Sequence, residues 1–143
     1  MKYKLFISAA GRGTRVSGLT SINKSLLPIN YEAVISRIID KYPKNLEIII
    51  ALGHEKEIVK NFLKIRHFDR KIKFVNIKKY YGIGSGPGYT LYKCRKHLQC
   101  PFIYSSCDTI VLEKVPPPNT NWLGISKVKN TERFLIIEKK KSD

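Results

Sequence analysis

The sequence predicts an α/β fold, a three-layer sandwich in which helices cover both faces of a mostly parallel sheet. Apolar runs of strand length alternate with amphipathic helical patterns along the chain, and glycine-rich loops follow the first and third runs. The resulting order βαβαβαβ predicts parallel strands joined by right-handed crossovers. A length of 143 residues suits a single domain with a substantial core.

The first half of the chain contributes two strands and a helix. Residues 4–9 (KLFISA) predict a strand, and residues 10–30 predict a long loop rich in Gly, Ser, Thr and Asn. Residues 31–42 have a helical period. Its apolar face is formed by Val34, Ile35, Ile38, Ile39 and Tyr42. Residues 46–52 (LEIIIAL) are almost continuously apolar, which is typical of a parallel strand buried on both faces.

The second half repeats the alternation of helix and strand. Residues 54–65 predict an amphipathic helix, and residues 71–77 alternate like a strand. The inward positions of that helix are Ile58, Val59, Phe62 and Leu63. A second glycine-rich loop (YYGIGSGPG, residues 80–88) is followed by a predicted helix over residues 89–98. Residues 101–107 (PFIYSSC) predict a fourth strand, which ends at Asp108.

The pattern is weaker beyond residue 112. Three prolines in residues 115–121 predict an extended loop, because proline disrupts both helices and central strands. Residues 122–128 and 133–138 favour two further strands, and residues 139–143 predict a solvated tail.

Composition narrows the class of partner. The formal charge of +16 favours anionic partners, such as phosphorylated metabolites. The charge is spread along the chain, which gives little support to nucleic acid as a partner, and RNA or DNA binding is a hypothesis that rests on charge alone. Three cysteines without C-x-x-C spacing predict free thiols. No apolar run reaches membrane-spanning length and no export signal is present, so we expect a cytoplasmic protein without a membrane partner.

The loop after the first strand has the composition of an anion site. Gly11 and Gly13 permit positive φ, and such a bend can aim backbone N–H groups at phosphate oxygens. Arg12, Arg15 and Lys24 add positive charge. The alternative is an ordinary strand-to-helix turn. The P-loop pattern fails because no Gly-Lys-Ser/Thr follows, and the dinucleotide fingerprint fails because its third glycine is absent.

Three features are expected at one edge of the sheet. In parallel sheets, ligands bind beyond the carboxyl ends of the strands. The loop after the first strand, the loop after the third strand and Asp108 all follow such ends. Asp108 has an alternative role as a turn or capping residue. Tyr80, Tyr81 and Tyr89 suit either stacking on a base or packing at the sheet edge.

The segments AAGRGTR and NKSLLPI together resemble the signature of the nucleotidyltransferase family that includes the sugar-1-phosphate nucleotidylyltransferases. The matching positions are Gly11, Gly13, Thr14, Arg15, Lys24, Leu27 and Pro28. The resemblance extends over residues 4–112, where PFIYSSCDTIVL looks like the strand that supplies a metal-binding aspartate. It implies a Rossmann-like nucleotidyltransferase fold of the GT-A-like type.

The resemblance also implies an activity and its residues. It implies Mg²⁺-dependent transfer of a nucleotidyl group from a nucleoside triphosphate to a phosphorylated metabolite, with release of pyrophosphate. Arg15 and Lys24 would be catalytic, and Asp108 would hold Mg²⁺. The nucleotide-binding residues would be Ala9, Ala10, Gly11, Arg12, Gly13, Thr14, Ser85 and Gly86.

The acceptor and the extent of the protein are open at this point. The leading expectation for the acceptor is a sugar 1-phosphate, used for surface-polysaccharide synthesis. Phosphocholine with CTP is one alternative, and a catalytically incomplete nucleotide-binding module is another. We expect residues 1–143 to form one nucleotidyltransferase domain, the N-terminal part of a longer family pattern, and the resemblance allows a homo-oligomer. The chain departs from the family pattern at Asn23, where the family has proline, and at Cys107, where it has glycine.

Overall fold

A computed structural model of the protein describes residues 2–13 and 22–128. The strands are β1 (Lys4–Ala9), β2 (Pro28–Ile29), β3 (Glu32–Ala33), β4 (Glu47–Leu52), β5 (Lys71–Asn76) and β6 (Phe102–Ser106). The α-helices are α1 (Val34–Asp40), α2 (Lys56–Arg66) and α3 (Pro87–Cys94). Two short 3-10 turns cover Lys24–Leu26 and Arg95–His97.

The main sheet has the strand order β5-β4-β1-β6, and all its pairs are parallel. From β1 the chain builds outward through β4 to β5 and then returns to place β6 on the other side of β1. The strand order therefore reverses between β1 and β6, and in open α/β sheets the crevice at this reversal is where ligands bind. The predicted parallel α/β class is confirmed.

The two faces of the sheet have separate apolar layers, because successive residues of a strand point to opposite sides. Leu5 and Ile7 of β1 pack with α1 and α2, whereas Phe6 packs with Cys94 of α3 and with Leu98. The central strand β4 is buried on both faces. Its continuous apolar run is explained by this position, since helices cover both sides.

The loop over residues 10–30 has more structure than predicted. It contains the turn Lys24–Leu26, and β2 pairs with β3 in a small antiparallel hairpin. The hairpin turns at Asn30 and Tyr31, which have φ of +48° and +65°. Because β3 takes Glu32–Ala33, the predicted helix begins only at Val34.

The second helix corrects two predictions. It begins at Lys56 rather than at residue 54, because Glu55 has a left-handed φ of +52° that a helix cannot include. Val59 and Leu63 are fully buried as predicted, but Ile58 is 58% exposed. The stripe that contacts the sheet is therefore narrower than the apolar pattern of the sequence.

The last two elements also differ from the sequence prediction. The third helix begins at Pro87, a residue favoured in the first turn, and ends at Cys94, after which the chain tightens into a 3-10 turn. The loop over residues 115–121 is irregular as predicted, but residues 122–128 form no strand. The predicted strand over residues 133–138 and the tail lie outside the described residues. Within the described ranges, no helix combines the length and apolarity needed to cross a membrane.

Candidate functional site

The site lies where the strand order reverses, between the loop after β1 and the end of β6. Lys24 Nζ donates a hydrogen bond to Asp108 Oδ2 at 2.7 Å. Ser106 Oγ donates to the other carboxylate oxygen, Oδ1, also at 2.7 Å. The structure thus brings together Lys24 and Asp108, two residues that the sequence predicted for one site.

The environment of Asp108 keeps its carboxylate ionised. Partial burial raises its pKa, but the hydrogen bonds from Lys24 and Ser106 outweigh burial, and the net effect lowers the pKa below its usual value. The side chain remains 48% exposed. A charged carboxylate is therefore accessible to solvent at the carboxyl end of β6.

The glycine-rich turn lies directly against Lys24. Gly13 has a φ of +66°, and a β-carbon placed there would be 3.3 Å from Lys24 Cδ. A larger residue would both strain the backbone and displace the aliphatic part of the lysine. Gly11 and Arg12 are exposed to solvent.

Ala9 and Ala10 contribute backbone rather than accessible side chains. Both are nearly fully buried. The carbonyl oxygen of Ala10 accepts a hydrogen bond from the backbone N–H of His54 at 3.0 Å. This bond joins the ends of β1 and β4.

The loop after β5 meets the first loop through aromatic residues. The guanidinium carbon of Arg12 lies 5.3 Å from the ring centroid of Tyr81, and Tyr81 is 61% exposed. Tyr80 packs beside Gly53, where an added β-carbon would lie 2.7 Å from Tyr80 Cβ. Tyr80 therefore has the packing role, whereas Tyr81 presents a ring to solvent.

Ser85 and Gly86 lie in the same loop, which bends at glycines. Gly82, Gly84 and Gly86 all have positive φ. Ser85 Oγ donates to the carbonyl oxygen of Gly82 at 2.7 Å, and the Gly86 carbonyl accepts from Thr90 at the start of α3. The Ser85 hydroxyl thus stabilises the shape of its own loop.

Asn23 is a site residue that sequence analysis treated only as a departure from a pattern. It is buried, and its side chain makes three hydrogen bonds. Oδ1 accepts from Ser25 N at 3.1 Å and from Ser25 Oγ at 2.8 Å, and Nδ2 donates to the His54 carbonyl at 2.9 Å. The available signal was its place immediately before Lys24. Ser106, which orients Asp108, was also missed.

Cys107 adjoins Asp108 without being available for chemistry. Burial raises the pKa of its thiol to about 11, so it is protonated at neutral pH. Its backbone N–H donates to the Ser8 carbonyl at 3.3 Å and so extends the contact with β1. The predicted free thiols are confirmed for all three cysteines.

Thr14 and Arg15 lie outside the described residues. In residues 2–13 and 22–128, the His, Cys, Asp and Glu side chains form no group of three suited to a metal ion. Asp108 therefore belongs to no cluster of three such side chains in the described part of the chain.

Comparison with known proteins supports a common class. The chain is 31% identical over 137 residues to the "Bifunctional protein GlmU" of Methanococcus aeolicus, covering 92% of this chain and 32% of that protein. The protein of the same name from Methanococcus vannielii is 29% identical over 138 residues, with 92% and 31% covered. The chain spans about a third of the length of these curated relatives. No protein-family model matches the chain.

Solved structures establish the fold. The CTP:phosphocholine cytidylyltransferase LicC of Streptococcus pneumoniae superimposes with a TM-score of 0.63 and 23% identity, covering 85% of this chain and 51% of that chain. A UDP-glucose pyrophosphorylase solved with UDP-glucose has a TM-score of 0.63 and 22% identity, with 82% and 49% covered. The described residues therefore share the Rossmann-like fold of this class of solved nucleotidyltransferases.

Within that class, the sequence relatives and structural neighbours confirm the predicted resemblance to the sugar-1-phosphate nucleotidyltransferase type. The sequence predicts the resemblance from AAGRGTR and NKSLLPI, and the structure places Gly13 of the first segment against Lys24 of the second.

Proposed function

We propose that the chain is the nucleotide-handling domain of an enzyme that transfers a nucleotidyl group from a nucleoside triphosphate to a sugar 1-phosphate. The observation that carries the proposal is the Lys24–Asp108 contact beside the glycine-rich turn, at the strand-order reversal. The sequence relatives span 92% of the chain and support the same class.

The reaction requires positioning and charge more than covalent chemistry from the protein. An oxygen of the acceptor phosphate attacks the α-phosphorus, the bond to the β-phosphate oxygen breaks, and pyrophosphate leaves. Negative charge on the phosphate oxygens must be balanced while these bonds change. Lys24 offers a compact positive charge for the α-phosphate or the attacking phosphate, and Arg12 offers a guanidinium at the exposed loop. Arg15 remains predicted to hold the β- and γ-phosphates.

Asp108 fits Mg²⁺ as a partial ligand set. Mg²⁺ in nucleotide enzymes takes one or two carboxylates and completes its coordination with waters and substrate phosphates. Asp108, an ionised and half-exposed carboxylate beside Lys24, meets that description. Bound there, Mg²⁺ would supply charge neutralisation on the transferred phosphate. Coordination of Mg²⁺ through Oδ2 would require Lys24 to release that oxygen.

A second acceptor class is favoured by one structural neighbour. LicC, named as a CTP:phosphocholine cytidylyltransferase, covers 85% of this chain. Both proposed reactions begin from a bound nucleoside triphosphate, so both would use the same nucleotide-binding residues. Phosphocholine is therefore the alternative acceptor. The alternative to an enzyme is a module that binds a nucleotide without transferring it.

The proposal includes the setting of the protein. We propose a single nucleotidyltransferase domain over residues 1–143 that works in the cytoplasm, where nucleoside triphosphates are available. Activated sugars made there would serve surface-polysaccharide synthesis. Self-association of the chain is part of the same expectation from its resemblance.

The first test is thermal unfolding of the chain with ATP, CTP, GTP or UTP, each with and without Mg²⁺. A ligand at about 100 times its Kd stabilises the folded state by about 2.7 kcal/mol, which raises Tm by several degrees. We expect one nucleotide to raise Tm only with Mg²⁺. No rise with any nucleotide, in a sample that unfolds cooperatively, would contradict the nucleotide site.

Pyrophosphate release then separates the acceptors. The nucleotide that binds is incubated with glucose 1-phosphate or with phosphocholine. Release with glucose 1-phosphate supports the leading proposal, and release only with phosphocholine supports the alternative. Nucleotide binding without pyrophosphate release in the presence of either acceptor supports a module that only binds nucleotide.

A further inference from the structure

We propose that Asn23 is a positioning residue that holds Lys24 at the site by connecting its turn to the carboxyl end of β4. The role assigned to Lys24 rests on the proposed function, but the positioning itself is a statement about the fold. Asn23 is not itself expected to contact a ligand, because it is only 3% exposed.

The oxygen and the nitrogen of the Asn23 side-chain amide bond to different parts of the structure. Oδ1 accepts from the backbone N–H and the hydroxyl of Ser25, which caps the 3-10 turn that contains Lys24. Nδ2 donates to the His54 carbonyl, just beyond β4, at 2.9 Å. The cap fixes the shape of the turn, and the bond to His54 fixes where the turn lies.

These bonds belong to a continuous set of contacts along the carboxyl ends of the strands. The His54 N–H donates to the Ala10 carbonyl at the end of β1, and the His54 carbonyl accepts from Asn23. The next residue, Lys24, reaches Asp108 at the end of β6. The buried Asn23 side chain therefore joins the turn to the end of β4, and His54 and Lys24 continue the contacts to the ends of β1 and β6.

Burial makes this link costly to lose. Removing the amide leaves the N–H and hydroxyl of the buried Ser25 without their acceptor, and the carbonyl of the half-buried His54 without its donor. The backbone of Asn23 has φ −53° and ψ 131°, an ordinary extended conformation. Asn23 therefore forms its side-chain bonds without a left-handed backbone conformation.

The test compares Asn23→Ala, which removes all three bonds, with Asn23→Asp, which keeps the shape and the acceptor but loses the donor to His54. Asn61→Ala, at an exposed position on α2, is the matched control. The first readout is the crystal structure of each variant. We expect Lys24 Nζ to move out of hydrogen-bond distance of Asp108 Oδ2 in Asn23→Ala and in Asn23→Asp, and to stay in Asn61→Ala. Retention of the 2.7 Å contact in Asn23→Ala would overturn the proposal, as would retention in Asn23→Asp.

The second readout is the affinity of the full chain for the nucleoside triphosphate that stabilises it, measured by calorimetry with Mg²⁺. Lys24→Ala should weaken binding about 10- to 100-fold, the effect of losing a hydrogen bond to a charged group. Asn23→Ala should weaken it by a similar factor, and the double variant should be no weaker than Lys24→Ala alone, because both changes remove one interaction. If the fold losses in affinity of the two single variants multiply in the double variant, the positioning role is overturned.

The two readouts fail independently. If the unaltered chain binds no nucleoside triphosphate, the proposed function fails, and the crystal structures of the Asn23 variants still decide whether Asn23 positions Lys24. If the chain binds nucleotide and the Asn23 variants leave Lys24 in place, only the positioning proposal fails.

Discussion

Lys24 Nζ and Asp108 Oδ2 lie 2.7 Å apart although 84 residues separate them in the sequence. The contact joins the loop after β1 to the end of β6. It also means that the two groups proposed for phosphate and metal neutralise each other before a ligand arrives. Binding of a metal-bound triphosphate would exchange this ion pair for a lysine–phosphate and a carboxylate–metal contact.

Loss of either partner should abolish most nucleotidyl transfer. We expect Lys24→Ala and Asp108→Ala each to lower turnover about 100-fold, since groups that stabilise charge at a reacting phosphate typically contribute this much or more. The measurement is pyrophosphate release with saturating nucleotide. Lys60→Ala serves as the control, because Lys60 pairs only loosely with Glu57, at 3.8 Å, on the surface of α2. Unchanged turnover in both site variants would refute their assigned roles.

The exposed ring of Tyr81 should hold Arg12 ready for a phosphate. The contact of 5.3 Å between them is a cation–π interaction, which contributes about 0.5–1 kcal/mol at exposed sites. Tyr81→Ala should therefore weaken nucleotide binding about 2- to 5-fold, whereas Tyr81→Phe should bind like the unaltered chain. Calorimetry measures both. Equal losses in the two variants would show that the hydroxyl, rather than the ring, is what matters.

Gly53 should tolerate no side chain. A β-carbon there would lie 2.5 Å from the Ala10 carbonyl oxygen and 2.7 Å from Tyr80 Cβ, and the first of these is backbone that cannot move aside cheaply. We expect Gly53→Ala to lower the free energy of unfolding by about 1–3 kcal/mol, the usual cost of overpacking. Urea unfolding gives the value.

Gly88 offers the matched control for that substitution. It lies in α3, and, apart from its chain neighbours and the backbone of its own helix, no atom of the described residues lies within 4 Å of an added β-carbon. Alanine is the better helix former, so Gly88→Ala should leave stability unchanged or raise it slightly. A similar loss in both variants would mean that crowding at Gly53 is not the cause.

The sequence predicts the parallel sheet of this protein, because its central strand is marked by a local run of apolar residues. Residues 46–52 are apolar on both faces, and they form β4 in the centre of the sheet. Asp108 and the glycine loop were placed at one edge by topology alone, because parallel strands end on the same side. The structure also brings Lys24 to this edge. The sequence assigned Lys24 to the site through the family resemblance.

Other features depend on contacts between distant residues, and local patterns carry no sign of them. The burial of Asn23 depends on the His54 carbonyl, 31 residues away. The exposure of Ile58 depends on how α2 lies on the sheet, although its own helical pattern predicts burial. A strand predicted over residues 122–128 is missing because apolar content alone does not provide a strand partner.

His67 should make the fold sensitive to mild acid. It is 3% exposed at the end of α2, and its ring lies 2.9 Å from Ser36 Oγ. Burial lowers its pKa, and the charges of Arg66 and Arg70 add to this effect, whereas Asp40 opposes it. In the unfolded chain the pKa returns to its ordinary value of about 6.5.

The sign of the effect follows from proton binding. Below about pH 6.5 the unfolded chain binds a proton that the folded chain does not, so the free energy of unfolding falls as pH decreases toward the lowered pKa of the folded state. His67→Gln, which can still hydrogen-bond Ser36, should lose this part of the dependence. Urea unfolding at pH 7.5 and pH 5.5 measures it, and the difference between the two values should be smaller in the variant. An identical difference in both proteins would show that other groups set the acid sensitivity.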